Sequence, residues 1–138
     1  MGLRESQLTR GTRKAGLFLG GRRQLVKFIS ANYTVKASDS GNLLIITAAD
    51  LVLSLPATVK GYIFSFALAA AGLSSGTGMA VSPVALDQII GNGFTPADNK
   101  DAINTGASDR AGDYLQVSAD GNLGYYITGI IGTWAREA

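Results

Sequence analysis

The chain contains no histidine and no cysteine. The first absence removes the side chain that most often serves as general base or zinc ligand, and the second removes disulfides, thiolate nucleophiles and cysteine-held metals. Ser-His-Asp and Cys-His sites are excluded, so an enzyme is not expected, nor is any cofactor or metal. Long apolar runs are scarce too. The longest, Tyr62 to Leu73, falls short of the roughly 20 residues a spanning helix needs and reads as a buried strand. The first thirty residues have no continuous apolar core, so no signal peptide is expected. Met1-Gly2-Leu3-Arg4-Glu5-Ser6 fits the loose N-myristoylation pattern, a short motif that often matches by chance, and no membrane partner is expected.

What the chain does have is apolar residues at 46%, 18 glycines and 138 residues in all, enough for one domain with a modest core. The glycines fall between short apolar runs without a collagen-like period, as turns between strands require.

Charge divides the chain in two. Residues 1–30 carry Arg4, Arg10, Arg13, Lys14, Arg22, Arg23 and Lys27 against Glu5 alone, a balance of +6, whereas residues 31–138 balance to −4. The sequence therefore reads as an extended basic N-terminal arm, 1–30, on a mildly acidic body, 31–138. Gly11, Gly16, Gly20 and Gly21 would each cost a helix about 0.5–1 kcal/mol, so the arm is not expected to form one. Leu17, Phe18 and their apolar neighbours are more than a solvated tail should expose. The expected role is docking: Arg10, Arg13, Lys14, Leu17, Phe18, Arg22, Arg23 and Lys27 would bind a large, mostly acidic partner surface. A plain flexible terminus leading into a first strand near Gln24 to Ser30 is the simpler alternative. Nucleic acid is not the expected partner, because the arm has no tyrosine or tryptophan on which bases could stack.

The body reads as short strands between turn signals, with strands at Tyr33–Lys36, Leu43–Thr47, Leu51–Leu55, Tyr62–Leu68, Met79–Ser82 and Asp87–Ile90. Tyr114–Ser118, Asp120-Gly121 and Tyr125–Ile131 form the clearest hairpin signal. Thr95-Pro96-Ala97-Asp98 resembles a helix start and predicts one short helix over Pro96–Ile103. The expected fold is all-β, an antiparallel β-sandwich or jelly-roll-like barrel of seven to nine strands.

Candidate sites in the body are weak. Asp98, Asp101, Asp109 and Asp113 read as turn and cap acids, since nothing sets two of them across a cleft and the spacing is not that of an EF-hand. The glycine-rich stretches 72–78 and 91–93 lack the Gly-Lys-Ser/Thr of a phosphate loop. Trp134 reads as a plug closing the last strand.

From about Thr34 to Glu137 the chain resembles small virion proteins of tailed bacteriophages, the head decoration or cement class, and related tail-fibre modules. The likeness rests on Leu55-Pro56, the run from Ser82-Pro83 to Gly91-Asn92-Gly93, Gly112-Asp113-Tyr114 and Gly132-Thr133-Trp134. It implies a compact β body on the outer surface of a capsid, holding neighbouring major capsid protein subunits together as a dimer or trimer. The alternative is a tail-fibre or receptor-binding module contacting host surface glycans.

Overall fold

The computed structural model describes residues 23–73, 78–105 and 109–138. Among them the chain is almost wholly β. The strands are β1 (Val26–Ile29), β2 (Tyr33–Thr34), β3 (Leu43–Ile46), β4 (Val52–Ser54), β5 (Ile63–Leu68), β6 (Met79–Ser82), β7 (Gln88–Ile90), β8 (Ala102–Asn104), β9 (Tyr114–Ala119), β10 (Gly124–Ile131) and β11 (Trp134–Arg136). A single 3-10 turn, Ala37–Asp39, follows β2.

The strands form a six-stranded sheet in the order β1-β3-β5-β9-β10-β7 and a five-stranded sheet in the order β11-β8-β6-β4-β2. The chain changes sheet at every step from β1 to β9. From β1 to β6 each strand therefore meets its next neighbour in the same sheet only after a full turn, running in the same direction. β1, β3 and β5 are consequently parallel, as are β2, β4 and β6. Antiparallel pairing appears only where β8 joins β6 and β11 and where β9 joins β5 and β10, while β7 runs parallel to β10. The expectation of antiparallel sheets is thus corrected: both sheets are mixed.

The inner faces of both sheets share one core. Leu44, Ile46, Phe64, Phe66, Leu68, Leu115 and Val117 line it from one sheet, and Leu53, Met79, Val81, Ala102 and Trp134 from the other. Period-2 alternation puts Phe64 and Phe66 wholly inside, each worth about 1.5–3 kcal/mol relative to exposure. Phe64 packs between Tyr62 and Tyr125, with ring centroids 5.6 and 6.1 Å away.

No helix spans Pro96–Ile103. Asn99 turns the chain at φ 56°, its N–H bonded to the Asp87 carbonyl at 3.0 Å, and Ala102 and Asn104 alternate into the core as β8. Burial of alternate residues outcompeted a local cap signal.

The β9–β10 hairpin forms where expected. Its turn is built on the Asp120 carboxylate, whose Oδ1 accepts the N–H groups of Asn122 at 2.8 Å and Gly124 at 3.0 Å. These bonds, that from Gly124 foremost, hold the Asp120 carboxyl below its usual range. Gly124 is required by a close approach: at φ +143° a Cβ there would strike the Gln88 backbone of β7.

Candidate interaction surface at the arm-bearing edge

Of the proposed arm residues, Arg10, Arg13, Lys14, Leu17, Phe18 and Arg22 lie outside the described residues. Arg23 is exposed and shortly precedes β1, the outermost strand of the six-stranded sheet among the described residues. Lys27 sits within β1 and belongs to the body, engaged with groups of its own chain. Its Nζ donates to Tyr33 Oη at 2.8 Å and to Asp39 Oδ1 at 3.1 Å. Tyr33 Oη in turn donates to Asp39 Oδ2 at 2.8 Å, and that oxygen also accepts the Lys36 N–H at 2.9 Å. Two ammonium groups, those of Lys27 and Lys36, lie 5.1 and 4.9 Å from the centroid of the Tyr33 ring.

This latch ties together the first strand of each sheet and the 3-10 turn. The Asp39 side chain is only 2% exposed while that of Lys27 is 46% exposed. Burial alone would raise the Asp39 carboxyl, but the bonds from the Lys36 N–H, Tyr33 and Lys27 outweigh it and set it below the usual range. The same contacts, with Tyr33 first, raise Lys27 above its ordinary value. A sequence reading counts Lys27 as an arm cation because nothing in a linear pattern places Asp39 opposite it.

The second feature is the outer face of the same sheet. Alternation and register place Val26, Phe28, Leu43, Ile45, Ile63, Ser65, Ala67, Tyr114, Gln116, Ser118, Tyr126, Thr128, Gly129, Ile131, Gln88 and Ile90 on it, without one charged residue. Phe28 is 68% exposed, Ile131 60% and Val26 50%. A polar stripe down the middle satisfies itself. Tyr114 Oη and Gln116 Nε2 both donate to Ser65 Oγ, at 3.2 and 3.1 Å, and Thr128 Oγ1 donates to Gln116 Oε1 at 3.1 Å. Thr128 reaches it from a bulge opposite Gln116 and Val117. The unbroken apolar run Leu43-Leu44-Ile45-Ile46 was the signal for an apolar outer face, since a strand wetted on one side alternates.

The acids of the body do structural work. Asp113, 4% exposed, accepts Asn104 Nδ2 at 3.2 Å and the Arg110 N–H at 3.1 Å, while Asp109 accepts the Gly72 N–H at 2.9 Å and Asp98 accepts Gln88 Nε2 at 2.8 Å. Asp101 is raised, chiefly by burial. Trp134 fills the core at 6% exposure and donates Nε1–H to the Ile131 carbonyl at 3.0 Å, as a plug should. Compared with family models, curated proteins and solved structures, the chain matches none.

Proposed function

We propose that the chain is a structural virion protein that binds the outside of a phage head and cements neighbouring major capsid protein subunits. In this reading the two mixed sheets pack as a sandwich, and the arm is the anchor. The observation that carries the reading is the exposed Arg23 just ahead of β1, the outermost described strand of its sheet, which joins the strongly basic, glycine-rich stretch of the sequence to the rim of the body rather than to its core. An arm so placed reaches a neighbouring acidic surface without disturbing the core. Several such weak contacts held in one oligomer become effectively permanent, because each later arm binds at high effective concentration. The fibre-module alternative gives this junction no task beyond connection.

The test is co-sedimentation with empty heads of the cognate major capsid protein, comparing the full chain with one beginning at Gln24. A cut at Ala31 is unsuitable, because it would remove β1, with buried Ile29 and the bond from the Leu43 N–H to the Leu25 carbonyl. The full chain should sediment, less so as salt rises, and the shortened one should stay in solution while folded. Equal sedimentation of both removes the arm from the reading. Failure of both refutes the cement role and favours the fibre module.

A further inference from the structure

We infer that the outer face of the six-stranded sheet is a self-association surface, packed face to face against the same sheet of a second copy. The inference deepens the oligomer expected of the cement reading, yet it stands on the body alone and needs no capsid.

Charge selects the occupant. A face with sixteen strand positions and no charged residue among them offers nothing to an acidic shell, and its one bonded carboxylate, Asp98, sits on Gln88 of the far edge strand β7, away from Phe28 and Ile45. Laying Arg10, Arg13, Lys14 and Arg22 across Phe28, Ile45 and Ile131 would desolvate four cations without a partner, which is strongly unfavourable. A second copy of the face is equally uncharged and imposes no such penalty. The polar stripe raises no objection, since Ser65, Tyr114, Gln116 and Thr128 already bond to one another. They enter a dry interface with partners in place. The other sheet offers a contrast: its outward positions, among them Thr34, Ser54, Ala80, Ser82 and Ala135, are mostly small.

Geometry favours a two-fold. Six strands of three to eight residues, about 3.3 Å per residue and about 4.8 Å apart, give a face of roughly 490 Å² in projection, and its corrugation brings the accessible area towards the roughly 800 Å² per partner of a standard interface. A two-fold axis along the central strands carries the β1 side of one copy over the β10 side of the other. Phe28, level with Ile131 through Ile45, Ala67 and Tyr114, then meets Ile131 of the other copy twice, as an isologous contact demands.

Sedimentation velocity on the full chain should show a species of twice the 14.3 kDa chain mass. Phe28→Lys with Ile131→Lys should weaken that dimer by at least about 100-fold, because each charge is desolvated against a like one. Val52→Lys, on the exposed outer side of the other sheet, should leave it intact. A monomer at every concentration, a trimer, or equal loss in the Val52→Lys variant would overturn the inference. If the double variant does not fold, Ile63→Cys decides, as the only thiol in a chain without cysteine. Maleimide labelling that slows as protein concentration rises supports the dimer, and labelling independent of concentration refutes it. A monomer that still binds heads would sink the dimer and keep the cement role; a dimer that ignores heads would do the reverse.

Discussion

Replacing Asp39 by asparagine tests whether the latch at the start of the body is a stabilising element. The side chain keeps its shape and loses its charge, and one of its two accepting oxygens becomes a donor. Asparagine would turn its amide towards Lys27, whose ammonium is half exposed and can move to water, and keep its oxygen for the Tyr33 hydroxyl and the Lys36 N–H. What is lost is one ionic contact and the charge assistance of two buried bonds. Hydrogen bonds to charged groups are worth about 1.5–3 kcal/mol, so the expected loss is about 2 kcal/mol, a fall in Tm of about 8 °C in a chain of this size. Lys27→Met should cost clearly less than Asp39→Asn, because water replaces an ammonium at the surface. The pH dependence follows from the direction of the shift. A carboxyl lowered on folding contributes stability above its ordinary value near 3.8, and that contribution disappears as pH falls through the folded value. Urea unfolding at neutral pH and at mildly acidic steps down to pH 3 should show a stability loss in the wild type that Asp39→Asn flattens. An Asp39→Asn variant within about 0.5 kcal/mol of wild type, a Lys27→Met of equal cost, or an unchanged acid limb would refute the reasoning.

Trp134→Ala should destabilise the body by about 3–5 kcal/mol through the cavity it leaves, whereas Trp134→Phe should lose about 1 kcal/mol with the bond to the Ile131 carbonyl, both read from urea midpoints. Gly124→Ala should cost well over the 1 kcal/mol or so expected for Gly41→Ala, because Gly41 also has a positive φ but open space around it, while Gly124 abuts β7. Equal costs at the two glycines would show that the contact with Gln88 yields.

Much of the strand content was legible because alternation reports burial directly. Met79–Ser82 stands where it was read, the β9–β10 hairpin turns at Asp120-Gly121, and Phe64, Phe66 and Trp134 face the core. Pairing was not legible. Leu43–Ile46 and Val52–Ser54 look like consecutive strands of one sheet, yet they lie in different sheets, because period 2 records which side of a strand is buried and not which strand lies beside it. The helix start at Thr95-Pro96 is a sound local signal overruled by the burial of Ala102 and Asn104. The contacts of Lys27 were not legible for the complementary reason: its partners are a tyrosine and an acid that only the winding brings near. The charge-free face was half visible in Leu43-Leu44-Ile45-Ile46, but its far side, Tyr126 and Ile131, needed the sheet order.

The alternation between sheets has one more consequence. In the first half of the molecule every circuit of the chain lays one strand on each sheet, parallel to the last, so circuits are interchangeable units in a way that hairpins are not. Such a unit could be added or deleted ahead of β1 without shifting the register of anything downstream, because each circuit is templated only by the one beneath it. At that end the Lys27–Tyr33–Asp39 cluster joins β1 and β2, the first described strand of each sheet, and so closes the first described circuit upon itself with polar contacts rather than with a shared backbone ladder.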